Sequence, residues 1–242
     1  MGSDAVPQGR AQLILPEVRW RPSPNCGERR GGVLPDIVVL HYTAMDRARS
    51  ACDWLRNPES QVSAHHLVGR NGRVTQMVDE AQRAWHAGAG RWGAVEDVNS
   101  RSIGIEISNT GTAPFPAVQM DALEGLLAGI LHRWQIPPHR VIGHSCMAPG
   151  RKIDPGPRFD WQRLARRGLA VWPRPAPPTP PAQFGALAAL AGFTADVDDA
   201  TLLSAIRLRF APWRNGPLGP PDMAILADIA ARFPVDVPAP AA

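Results

Sequence analysis

The sequence predicts an α/β fold with a small helical unit behind it, and three observations predict it. Apolar, β-branched runs of strand length, DIVVLHYT (36–43) and SIGIEISN (102–109), alternate with helical patterns. Residues 116–134 form a long amphipathic stretch in which Leu123, Leu126, Leu127, Ile130, Leu131 and Trp134 recur at intervals of three and four. A proline tract, PRPAPPTPP, then separates this region from an alanine- and leucine-rich segment of helical spacing. At 242 residues the chain is long enough for one sizeable core and a second, smaller unit.

Taken in order, residues 1–34 are rich in Pro, Gly and Arg, lack sustained periodicity and read as an arm wrapping the first domain, 35–172. The run 36–43 suits a strand buried on both faces. The stretch from Arg47 is helix-compatible and stops at Asn57-Pro58, because a residue before proline is pushed out of the helical region. Residues 64–70 and 73–79 flank Asn71-Gly72, a strong hairpin signal, and predict two antiparallel strands. AWHAGAGRWG (84–93) predicts a loop exposing flat faces and backbone amides, and 102–109 returns to strand. The helix over 116–134 packs on the sheet and ends at Pro137-Pro138. A short strand, 140–144, follows, and 160–167 can form one closing helix. Beyond the linker, 173–182, helices over 184–192, 198–210 (with an Asp at a capping position) and 220–233 make a three-helix bundle within 183–234, and 235–242 form a tail.

Composition narrows the function classes. Charged residues at 20% and the hydrophobic group at 44% are ordinary globular values, and no apolar run reaches membrane-spanning length. A net charge of +4, spread without basic-aromatic runs, argues against nucleic acid as a partner. Three cysteines without a CxxC pair argue against a disulfide framework. The N-terminus does not read as a secretory signal, so a cytoplasmic location is expected; a removed signal would place the chain in the periplasm or cell envelope instead.

The densest chemistry lies in GHSCMAPGRKIDPGPRFDW (143–161), where Pro149, Pro155, Gly156 and Pro157 predict backbone that is neither helix nor sheet. It carries His144, Cys146, Lys152 and Asp154, and Lys152 is the one lysine among 26 Lys+Arg residues. A hydrolytic zinc site takes three protein ligands and leaves one position for water. His41, near the end of its strand, His144 and Asp154 supply such a set if the first and later strands lie side by side. Glu106, between Ile105 and Ile107, suits a general base and acid, and Lys152 an oxyanion partner. Plainer readings stand beside these: a strand-end histidine is often structural, a strand glutamate often faces solvent, and the spacing HxCx7D does not by itself enforce convergence.

The stretches VVLHYTA, VSAHHL, AWHAG, SIGIEISNTG and GHSCMAPGRKIDPGPRFDW, in that order, resemble the zinc-dependent N-acetylmuramoyl-L-alanine amidases of the AmpD and AmiD type, related to phage amidases and peptidoglycan recognition proteins. The resemblance covers about residues 35–172. It implies a mixed central β-sheet flanked by helices, and cleavage of the amide joining the lactyl group of N-acetylmuramic acid, in intact or 1,6-anhydro form, to L-alanine of the stem peptide. It also implies zinc on His41, His144 and Asp154, a catalytic Glu106, an assisting Lys152, and an Arg151 that grips the acidic stem. Trp85, His86 and Asn99 fall in cleft-lining segments, although Trp85 reads equally well as core. Cys146 stands where related sequences commonly have Asp; Asp154 is the preferred ligand because a single residue between ligands strains a tetrahedral site. Residues 183–234 resemble a degenerate three-helix peptidoglycan-binding domain, the plain alternative being a bundle that only packs on the catalytic domain. The implied partner is a muropeptide or peptidoglycan, with a noncatalytic receptor for it as the rival function and a Cys146/His144 thiol hydrolase as a weaker one.

Overall fold

The computed structural model describes residues 16–175, 177 and 179–236. In chain order the strands are β1 (Val18–Trp20), β2 (Cys26–Gly27), β3 (Ile37–Tyr42), β4 (His66–Val68), β5 (Val74–Gln76), β6 (Arg83–Ala84), β7 (Ser102–Ile107) and β8 (Val141–Gly143). The helices are α1 (Ala48–Leu55), α2 (Val98–Arg101), α3 (Ala117–Trp134), α4 (His144–Met147), α5 (Trp161–Arg166), α6 (Phe184–Leu190), α7 (Asp199–Phe210) and α8 (Pro220–Arg232).

Six strands make one mixed sheet in the order β1-β5-β4-β7-β3-β8, and β2 pairs with β6 in a small separate ladder. Only the β4–β5 pair is antiparallel within the large sheet, as the Asn71-Gly72 turn requires. Gly72 has φ +77° and lies against Val118, so a side chain there meets both strain and backbone. The arm contributes the edge strand β1. It also sends in Arg29, which is buried and donates to the carbonyls of Glu80, Ser100 and Ser102 at 2.7 to 3.1 Å.

Side chains alternate along β3 with period two. Val38 and Leu40 pack with Ile103, Ile105 and residues Leu123 and Leu127 of α3. Ile37 and Val39 face the other way and pack with Ile142, Met147 and the tail residues Phe193 and Ile206. His41 continues this second face where the tail no longer covers it. The helices α6, α7 and α8 therefore share a core with the sheet, despite the proline tract that reads as a spacer. At Gly192 a Cβ would lie 2.4 Å from the Trp92 ring, which shows how closely the tail approaches.

One local expectation is corrected. The loop 143–161 is not wholly irregular: α4 forms one helical turn from His144 to Met147, because the prolines and glycines act only from Pro149 onward. At its far end Asp160 caps α5 by accepting from the Arg163 amide at 2.9 Å. No helix among the described residues is long and apolar enough to cross a membrane.

Candidate active site

The site opens at the carboxyl end of β3. There the backbone register pairs His41 with Glu106 of β7, so the two side chains leave the same face one strand apart. On the other side β8 runs beside β3 and hands the chain to α4, whose first residue is His144. Asp154 returns on the loop that follows, with its carbonyl accepting from the Ser145 amide at 3.0 Å. The three ligand atoms meet: His41 Nδ1 to Asp154 Oδ2 is 2.9 Å, His144 Nδ1 to Asp154 Oδ2 is 3.0 Å, and the two Nδ1 atoms are 3.0 Å apart. All three residues are buried.

This donor set fits a divalent metal ion. The Nε2 edge of His144 sits 2.8 Å from the Ala87 carbonyl, which can only accept, so that nitrogen carries the proton and Nδ1 is a bare lone pair. Lone pairs and a carboxylate gathered about 3 Å apart repel one another unless a cation lies between them. Two nitrogens and one oxygen are an ordinary set for zinc, and other divalent metals share it.

The electrostatics follow from burial. The His41 imidazole is pushed down to about 4, by burial first and then by the neighbouring His144, so it is neutral at physiological pH. Burial alone would raise the Asp154 carboxyl, but its contacts with His144 and His41 hold it well below the usual carboxylate range. Glu106 is pushed up to about 8, by burial and then by the charge of Asp154, against the opposing Lys152. Its Oε2 is buried and has no hydrogen-bond partner among the described residues. An orphaned carboxylate oxygen of this kind awaits a water or a substrate group.

These residues line one cleft of about 590 Å3. Of the residues expected from sequence, His41, Trp85, His86, Glu106, His144, Arg151, Lys152 and Asp154 all reach it. Asn99 does not line it; the side chain is buried behind the loop, where its oxygen accepts from the His86 and Ala87 amides at 2.9 Å each. It shapes the cleft wall instead of facing the cleft. Arg151 donates to the Ala87 and Ala89 carbonyls and so folds across the same loop. Cys146 is not among the converging ligand atoms. Its side chain is 1% exposed and belongs to the apolar cluster under the tail.

Sequence reasoning missed Tyr42 and an apolar wall of Met45, Trp54 and Val62. Tyr42 is the chain's one tyrosine and adjoins His41, which was an available signal. Trp54 is half exposed on a helix and carried no such mark.

Fold and site together define an α/β protein with a candidate metal-binding centre at the carboxyl ends of its parallel strands. Residues 31–157 match the N-acetylmuramoyl-L-alanine amidase family, and the chain belongs to that family of hydrolases. It is 40% identical over 153 residues to N-acetylmuramoyl-L-alanine amidase AmiD of Escherichia coli (strain K12), covering 57% of this chain and 54% of that protein. It is 42% identical over 168 residues to 1,6-anhydro-N-acetylmuramyl-L-alanine amidase AmpD of Haemophilus influenzae, covering 62% of this chain and 91% of that protein. Among solved structures, the E. coli AmiD complex with anhydro-N-acetylmuramic acid-L-Ala-D-gamma-Glu-L-Lys superposes with a TM-score of 0.74 at 32% identity, over 86% of this chain and 98% of that one. AmpDh3 from Pseudomonas aeruginosa in complex with anhydromuramic pentapeptide gives 0.75 at 31% identity, over 85% and 94%.

Proposed function

We propose that this chain hydrolyses the amide between N-acetylmuramic acid, in its 1,6-anhydro form, and L-alanine of the stem peptide, with zinc held by His41, His144 and Asp154. The observation that carries the reading is the meeting of those three ligand atoms at a strand end whose neighbouring strand presents Glu106 on the same face. Bound there, the metal would lower the pKa of a water and polarise the scissile carbonyl. Glu106 takes the proton from the attacking water and passes it to the departing nitrogen of L-alanine, a role suited to a carboxyl whose proton affinity is raised toward neutrality. Lys152 neutralises the developing oxyanion from the cleft rim. Arg151 offers its remaining donors to the carboxylates of the stem, while Trp85 and the apolar wall shield the scissile bond from bulk water.

The AmpD relatives and the anhydro ligands of the similar structures favour the anhydro substrate. The tail is proposed as a support for the catalytic domain that also binds peptidoglycan, on the likeness noted in its sequence. The test is release of free stem peptide from a soluble anhydro-muropeptide, abolished by chelator and restored by zinc. Binding without release would make the chain a receptor, and equal rates on whole sacculi would remove the anhydro preference.

A further inference from the structure

His86 lines the cleft, yet its ring is also locked to the sheet behind His41. His86 Nδ1 lies 3.0 Å from His41 Nε2, and His86 Nε2 lies 3.2 Å from the Ser102 hydroxyl. That hydroxyl donates to the Val98 carbonyl, so its one proton is committed and its oxygen can only accept from His86. The proton of His86 must then sit on Nε2, which leaves Nδ1 as an acceptor. The proton of His41 in turn must sit on Nε2, which leaves its Nδ1 bare and facing Asp154 and His144.

The Val98 carbonyl, which can only accept, thus fixes the proton positions of Ser102, His86 and His41 in turn. The backbone makes room for the relay. Gly104 lies between Ser102 and Glu106 on the same face of β7, and a Cβ there would come 2.4 Å from His86 Cγ. The amides of His86 and Ala87 both donate to Asn99 Oδ1, which pins the loop in this pose.

We propose that His86, held by Ser102 over Gly104, is a positioning residue that selects the Nε2–H tautomer of His41 and thereby presents its Nδ1 lone pair to the metal. His144 reaches the same state through the Ala87 carbonyl, so the two histidine ligands are set by separate devices. The inference rests on the metal-centre reading above. A tautomer-fixing partner of a metal-ligating histidine is typically worth about 10- to 100-fold in metal affinity.

The test reads protons and metal rather than turnover. In metal-free protein, nitrogen-15 imidazole spectra should report His41 as the Nε2–H tautomer in the wild type and as a mixture in His86→Phe. Zinc affinity, measured against a competing chelator, should fall about 10- to 100-fold in His86→Phe. It should recover most of that loss in His86→Asn, whose side-chain oxygen replaces Nδ1 as acceptor. Zinc affinity should also fall in Gly104→Ala, which displaces the ring while every hydrogen-bonding group of the relay is kept. If His86→Phe binds zinc as the wild type does and only raises KM, His86 is a substrate contact and the positioning role is wrong. If the wild type itself binds no divalent metal while remaining folded, the metal centre falls, and this inference with it.

Discussion

The guanidinium carbon of Arg209, on tail helix α7, lies 3.8 Å from the centroid of the Trp161 ring at the start of α5. The same side chain donates to the Val171 carbonyl at 2.8 Å and is 3% exposed. A cation stacked on tryptophan away from water contributes about 2 kcal/mol, and the hydrogen bond adds to it. We expect one cooperative unfolding transition for the whole chain by calorimetry, and a lowered Tm of that single transition in Arg209→Ala. Two separate transitions would mean that the tail folds as an independent unit.

The metal set predicts opposite fates for two neighbouring residues. Asp154→Ala should empty the site, as measured by bound zinc per chain. Cys146→Ser should keep the metal but lose stability, about 1–3 kcal/mol, because a hydroxyl replaces a thiol in an apolar cluster. Loss of metal in the cysteine variant would reassign the third ligand.

Glu106→Gln should retain metal and lose about 10²- to 10⁴-fold in kcat on an anhydro-muropeptide. It should also change stability in metal-free protein. The folded carboxyl titrates near 8 and the unfolded one near 4.5, so what Glu106 contributes is fully present below pH 4.5 and lost as pH rises through 8. The glutamine variant does not titrate. Denaturation in chelator should show its advantage over wild type growing from pH 4.5 to 8 and then levelling.

Lys152→Arg should keep fold and zinc content yet lose most turnover. A guanidinium is planar and larger, and it cannot place a point charge where the ammonium stood. Wild-type kcat in this variant would remove the lysine from the mechanism.

Outside the cleft lining, burial opposes ionisation of Glu80, but hydrogen bonds from His66, Arg133 and Trp134 hold its carboxyl down at about 2. Its contribution is therefore present above pH 4.5 and lost as pH falls through 2. Glu80→Gln should be clearly less stable than wild type at pH 7, and the difference should shrink between pH 4.5 and 2 in urea denaturation.

Much of this was legible in the sequence because the signals were local. The 36–43 run became β3, Asn71-Gly72 became the hairpin turn, and the three-and-four spacing became α3. His41, Glu106 and His144 stood out as polar groups at or next to strand ends, where an α/β sheet gathers its chemistry. The strand β1 carried no signal, since VRW is three exposed residues held by pairing with β5 alone. Arg29 was equally silent, because its partners are backbone carbonyls about 50 to 70 residues away, which no sequence pattern marks. Asn99 showed that it belonged to this region but not which way it faced. The tail's docking was hidden by its own prolines, which describe the stiffness of the connection and say nothing of what lies beside it.

The pairing of His41 with Glu106 sets how this chain tolerates change. Their separation is written in the ladder of β3 and β7, not in a loop, and a ladder moves only by whole residues. Slipping β7 by one position would swing Glu106 through to the α3 side, and slipping by two would carry it past the opening. Insertions or deletions within these strands should thus abolish the reaction outright, whereas the apolar wall of Met45, Trp54 and Val62, which holds no metal ligand, can change and retune which muropeptide is preferred.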